Sequence, residues 1–330
     1  MKFKKCAALL LVSSCLLTGC TTSAKKVDSK YVVASLEKGS KTKNIFADNL
    51  YKDIIDNSSN NTTVFNAVLQ NLVDQKFPVN DDMKEDAATI IKQIKAAYKS
   101  NYGDNYKDSL NQALTSAGYK NLSEYRQRMI KQIQYANFLL DYIDDHFDDV
   151  FNDYYQQCSP KYVSLIKLSV SDTSAPTDDE TSKLNEVKEL INNTDKSFGD
   201  IAQDYSDDTT SSKKGALGIV DSKDTSGIAQ SYGNDVFNAI ESLKEGEVSD
   251  VITGDDGYYF VKVTSANKKT LKKELKKTDI DSPLLAYDDY LQYIVFDSYK
   301  INYKDKDIKK IVQGVVNKAL EKRKTERGEA

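Results

Sequence analysis

The chain has 330 residues, with 46 lysines and arginines against 50 aspartates and glutamates, a formal charge of −4. That balance argues against a nucleic-acid binder. One histidine and four cysteines do not supply a metal centre, and no cofactor is expected.

The chain opens "MKFKKCAALLLVSSCLLTGC": Lys2, Lys4 and Lys5, then an apolar run from Ala7 to Leu17. The run is well short of the roughly 20 residues a bilayer span needs, so it reads as an export signal. Its "LLTGC" ending resembles a bacterial lipobox, with cleavage after Gly19 and lipid on Cys20. Cys6 and Cys15 leave with residues 1–19, so Cys158 is the one free cysteine and no intrachain disulfide is expected. Removing three lysines and no acid shifts the charge from −4 to −7 over the remaining 311 residues.

A polar tether to residue 30 is followed by "YVVASLEKGS", a short strand and turn. "VFNAVLQNLVDQKF" (64–77) carries a helical apolar stripe that Pro78 ends. A second amphipathic helix has Met83, Ala87, Ile90, Ile91, Ile94 and Tyr98 on one face, and a third around Leu110 and Leu114 stops at Gly118. One long helix then runs from a capping box, Asn121 to Glu124, through "DDHFDDVFNDYY". After Pro160 the period changes. "KYVSLIKLSV", "KGALGIV" and "GYYFVKVTS" read as strands, while "DDETSKLNEVKELINN", "SFGDIAQDYS" and "DVFNAIESL" read as helices. Together they predict a compact α+β unit of about 110 residues. Helix returns after Ser282-Pro283 with "LLAYDDYLQYIVFDSYK" and "DIKKIVQGVVNKALEK", so the α+β unit is expected between two helical segments that pack on each other.

"SFGDIAQDYSDDTTSSKKGALGIV", "VFNAIESLKEGEVSDVI" and "GYYFVKVTS", in this order, resemble the parvulin-type peptidyl-prolyl isomerase domain. The flanking helices, the lipobox and "YKINYKDKDIKKIV" resemble the PrsA-like foldase lipoproteins. The resemblance implies an α+β fold with a helical chaperone module built from N- and C-terminal segments and an inserted parvulin-like domain. The boundaries expected are 1–19 signal, 20–30 tether, 31–157 and 268–322 helical module, 158–267 parvulin-like domain, and 323–330 charged tail.

Residue by residue, the polar catalytic positions of the family fall on Leu165, Ala216 and Tyr259, so no catalytic group is intact. The apolar positions that cradle proline fall on Ile228, Tyr232 and Phe237, with Leu217 nearby. Tyr259 is expected to form a peptide-contacting wall rather than a proton relay. The implied function is that of a membrane-anchored extracytoplasmic foldase for secreted proteins, with weak or absent isomerase activity. The alternative is an active prolyl isomerase, and a small-ligand lipoprotein is disfavoured because two α/β lobes are lacking. The implied partners are partly folded secreted polypeptides and the membrane through Cys20, with a homodimer left open and no nucleic acid. The implied location is the outer face of the membrane of a Gram-positive bacterium.

Other constellations carry less. His146 in "DDHFDD" reads as part of a solvated acidic helix face. No Walker loop or dinucleotide glycine pattern occurs, and a nucleophilic triad lacks a histidine partner. Asp144, Asp145, Asp148 and Asp149 precede the α+β unit, while Lys268, Lys269, Lys272, Lys273, Lys276 and Lys277 follow it. They read as two solvated faces or a salt-sensitive hinge.

Overall fold

The structure, a computed structural model, describes residues 26–38, 41–276 and 279–329. The expected signal and the lipidation residue Cys20 lie outside the described residues, as do Lys277 and the first part of the tether. In chain order the elements are β1 (Lys26–Val27), β2 (Lys30–Lys38), β3 (Lys41–Phe46), α1 (Ala47–Asp56), α2 (Asn61–Lys76), α3 (Asp81–Tyr102), α4 (Tyr106–Ser116), α5 (Leu122–Asp145) and α6 (Phe147–Cys158). Then come β4 (Lys161–Ser169), α7 (Asp178–Asn193), α8 (Phe198–Tyr205), β5 (Ala216–Val220), α9 (Ile228–Tyr232) and α10 (Asn234–Ser242). The last are β6 (Ile252–Gly254), β7 (Gly257–Ser265), α11 (Lys268–Leu275), α12 (Leu291–Ser298) and α13 (Lys306–Glu326). No described helix is long and apolar enough to cross a membrane.

The chain divides into two compact units. One consists, among the described residues, of those up to Thr89, Arg126–Phe138, and those from Tyr290 on. Here the N- and C-terminal segments share a core. Phe65 of α2, fully buried, stacks on Tyr293 of α12 with ring centroids 5.1 Å apart and meets Phe296 edge-on at 5.0 Å. Phe138 of α5 stacks on Tyr299 at 5.6 Å. Burying one such ring stabilises by about 1.5–3 kcal/mol. Gln134, buried in α5, donates to the carbonyl of Phe77 at 2.6 Å and so satisfies the frayed end of α2.

The other unit comprises Ile90–Tyr125 and Leu139–Asp289. Its centre is an antiparallel four-stranded sheet in the order β5-β4-β7-β6. Alternation along β4 and β7 sends side chains to opposite faces. Ile166, Leu168, Tyr258 and Phe260 pack against Leu184 and Val187 of α7 and Phe198 and Ile201 of α8. Val163, Leu165, Tyr259 and Val261 pack against Ile228 of α9 and Val236 and Ile240 of α10. Both faces are covered, which explains why the strands read as near-continuous apolar runs.

Two expected helices are interrupted. The long helix beginning near Asn121 breaks at His146, which ends α5 with φ −117° and ψ 26°. Across the break Asp144 and Asp145 would face Asp148 and Asp149 at i, i+4 spacing, and like charges there oppose helix. His146 rests against Tyr142, ring centroids 4.3 Å apart. The stretch expected as one helix from Leu284 has instead a 3₁₀ turn at Pro283–Leu285, and helix resumes at Leu291. Here the carbonyl of Tyr287 accepts a hydrogen bond from Lys223 Nζ at 2.7 Å, and the Tyr287 hydroxyl donates to Asp153 at 2.9 Å. A long-range partner replaces the helical one. At the far end, α13 continues to Glu326, into the segment read as a tail. Of the charged runs flanking the sheet, Lys272 and Asp148 pair at 2.8 Å, largely exposed, a contact contributing about 0–1 kcal/mol.

The entry to α7 is a capping box: Thr177 accepts from the Glu180 amide, and Glu180 accepts from the amides of Thr177 and Ser171. These hydrogen bonds, the Ser171 amide first, hold the Glu180 carboxyl down at about 2 from an ordinary 4.5. A depressed carboxyl pKa gives stability that is fully present above the unfolded value and is lost as pH falls through the folded one. Glu180→Gln should therefore lower the melting temperature at neutral pH, and the gap should close as pH falls from about 4.5 towards about 2. A gap that persists at the acid end would show that shape, not charge, holds this turn.

Candidate functional site

The apolar face of the sheet under α9 and α10 gathers most of the residues expected at a proline groove. Leu165 and Tyr259, 0% and 2% exposed, form its floor together with Ile228 at 4%. Leu217, Tyr232 and Phe237 pack over them and remain partly exposed. The partly exposed side chains over this floor are thus Leu217, Tyr232 and Phe237. Tyr259 lies beneath them instead of forming the expected wall, because odd-numbered β7 residues point into this core. Its ring meets Tyr232 edge-on with centroids 6.2 Å apart. The ring fits because residue 254 is glycine: a Cβ there would lie 2.7 Å from Tyr259 Cε2.

Ala216 is not part of this cluster. A register shift between Val163 and Ser164 pairs Ser164 with Ala216 and Val163 with Gly218, leaving Leu217 as the extra residue. Leu217 packs with Tyr259, whereas Ala216 lines a separate groove with Ser164 and Lys262.

The polar groups around Tyr259 are ones that motif reading missed. Its hydroxyl donates to Asp256, three residues earlier across the β6–β7 turn. Asp256 is also held by Lys167 Nζ at 2.5 Å, and that ammonium sits 5.5 Å from the centre of the Tyr259 ring. On the other side the Tyr232 hydroxyl donates to Asp208 at 3.3 Å. Asp208 is fixed in turn by the amide and hydroxyl of Thr210. Burial first, then the hydrogen bond and charge of Asp256, push the Tyr259 phenol up; burial and then the charge of Asp208 do the same for Tyr232. Both phenols stay neutral at any physiological pH, so neither is poised for proton transfer near neutrality. Asp208 and Asp256 were visible in the sequence as acids beside turn residues. Their meeting with Tyr232 and Tyr259 is a product of the fold.

Among the described residues no His, Cys, Asp and Glu cluster is arranged to hold a metal. Cys158 is fully buried.

Comparison with known proteins identifies the sheet unit. Residues 165–265 match the family described as "Rotamase: PPIC-type PPIASE domain". A foldase protein PrsA of Staphylococcus epidermidis (strain RP62A) is 27% identical over 313 residues, covering 91% of this chain and 87% of that protein. The chain is a PrsA-like protein with a parvulin-type domain. A PrsA of Staphylococcus aureus (strain RF122) is 31% identical over 173 residues, so the chain spans about half the length of that relative. The crystal structures of PrsA from Bacillus subtilis and of foldase protein PrsA from Streptococcus pneumoniae are 21% and 20% identical and cover 86% and 85% of this chain. The matches extend over 98% and 99% of those chains, with TM-scores of 0.40 and 0.39. In the PrsA-like chain the parvulin-type sheet stands between the helical segments that precede Lys161 and those that follow Ser265.

Proposed function

We propose that this PrsA-like chain is an extracytoplasmic foldase, anchored to the membrane through lipid on Cys20, that assists secreted polypeptides after export. Its groove of Leu217, Tyr232 and Phe237 over Ile228 and Tyr259 contacts extended segments, and its isomerase activity is weak or absent. The observation that carries this reading is the state of the groove floor. Leu165 is an aliphatic residue without exposure, and the hydroxyl of Tyr259 is already committed to Asp256. The domain boundaries at 31–157, 158–267 and 268–322 belong to the same proposal. So do the signal at 1–19, the tether at 20–30 and location on the outer face of a Gram-positive membrane.

The full chain should suppress aggregation of an unfolded client at near-equimolar ratio, read by light scattering. Suppression no better than that of an inert protein of equal size would remove the foldase reading. The anchor is tested separately. Cys20→Ala should release the protein into the medium or leave the unprocessed precursor, seen by fractionation and gel mobility. Fully processed protein retained on the membrane in that variant would contradict the anchor.

A second reading, an active prolyl isomerase, has one observation in its favour. Asp208 places a carboxyl beside the Tyr232 hydroxyl at the rim of the groove, and isomerisation about an X-Pro bond needs no covalent step, only preference for the twisted amide.

A further inference from the structure

The groove that Ala216 lines lies at the end of the α7–α8 face of the sheet, on the side away from Tyr259. It has a volume of about 280 Å3. Its floor continues the period of β4 and β7 beyond the apolar core: Ser164 stands opposite Lys262 in register, and Thr264 follows two residues on. Its walls are Lys213, Lys214 and the first turn of α8, beginning at the N-cap Ser197. Lys214 crosses that turn closely, since a Cβ on Gly199 would lie 3.1 Å from Lys214 Cβ.

The charges around this groove do not balance. Asp200 accepts from Lys214 Nζ at 2.7 Å and from the Ser197 hydroxyl at 2.7 Å, so one lysine is compensated. Neither Lys213 nor Lys262 has an ion-pair partner among the described residues. Lys262 is partly buried in the middle of the long central strand, where a lone ammonium loses part of its hydration. The hydroxyls of Ser164 and Thr264 hydrogen-bond to each other at 3.4 Å on the same floor, which leaves one of their two protons free for an acceptor between the strands.

We infer that this groove is an oxyanion-binding site for a single carboxylate or phosphate group, held by Lys262 and Lys213 with the hydroxyls of Ser164 and Thr264. The site does not depend on the foldase reading and shares no side chain with the proline groove. Two cations with a free hydroxyl proton from the Ser164–Thr264 pair match an oxyanion of either kind, and a space of this size admits the group with its attached carbon or ester.

The test is calorimetric titration of the full chain with inorganic phosphate, and in a second arm with N-acetyl-triglutamate. Saturable binding at about millimolar concentration is expected in at least one arm; the arm that saturates names the source, phosphate or peptide carboxylate. Lys262→Gln should weaken it by roughly tenfold or more, and Lys213→Gln by a few-fold, as charge-assisted donors are lost. Added salt should weaken it too. If Lys262→Gln melts lower than the parent, the exposed Lys213→Gln carries the comparison. Non-saturating heats in both arms, or equal affinities in the parent and both variants, would overturn the site. Because suppression of client aggregation is measured independently, failure here leaves the foldase reading untouched, and the reverse holds.

Discussion

Asp221→Ala should destabilise the sheet-containing unit by about 3–5 kcal/mol, more than any surface change. Asp221 has no exposure. One of its carboxyl oxygens accepts from the Tyr154 hydroxyl at 2.8 Å and from the Thr225 hydroxyl, and the other from the amides of Lys223 and Thr225 at 3.0 and 3.2 Å. Tyr154, on α6, is itself fully buried and meets Tyr287 edge-on at 5.4 Å. Truncation would strand several donors at once in a place water does not reach, and each unsatisfied group costs about 1–3 kcal/mol. Tyr154→Phe removes a single hydrogen bond and should cost only about 1 kcal/mol. Urea unfolding of both variants, followed by tyrosine near-UV dichroism, separates the two. A loss below about 1 kcal/mol in Asp221→Ala would mean that the loop after β5 relaxes to admit water.

The second large effect concerns the groove. Uncatalysed X-Pro exchange takes roughly tens to hundreds of seconds at 25 °C, so modest catalysis is easily seen. A positioned acid or base contributes about 10²–10⁴-fold, and with Leu165 and the committed Tyr259 at the floor the full chain should stay within about twofold of background on short prolyl peptides. Binding should behave differently. Phe237→Ala or Tyr232→Ala removes a partly exposed ring from the wall and should weaken prolyl-peptide affinity roughly ten- to a hundredfold by lost apolar contact. Brisk isomerisation that disappears in Asp208→Asn would replace the foldase-only reading with the isomerase one.

Much of this was legible where local pattern and final packing agree. The stretches read as the helix 178–193 and the strand 257–265 coincide with α7 and β7, because Thr177 to Glu180 caps the one and alternation about two apolar layers fixes the other. The misses have long-range causes. Nothing near Tyr287 announces that Lys223, 64 residues away, will take its carbonyl, and a five-residue helix such as α9 is too short to show a period. The same holds at the site. Leu165, Ile228, Tyr232, Phe237 and Tyr259 could be placed from motif positions, but Ala216 could not be assigned a face, since the bulge at Leu217 shifts the register there. Asp208 and Asp256 carry no motif of their own; their role beside the groove depends on tyrosines that the fold brings alongside.

The outer strands of the four-stranded sheet are both short: β5 has five residues and carries the bulge, and β6 has three. A protein that works among unfolded chains meets many segments seeking a strand to pair with, and a long flat edge would recruit them into a growing cross-strand stack. Here the long strands β4 and β7, nine residues each, are held inside the sheet, while the borders offer too few consecutive backbone groups to seed one. The sheet is thereby protected from becoming the nucleus of the aggregation that the proposed role would have it prevent.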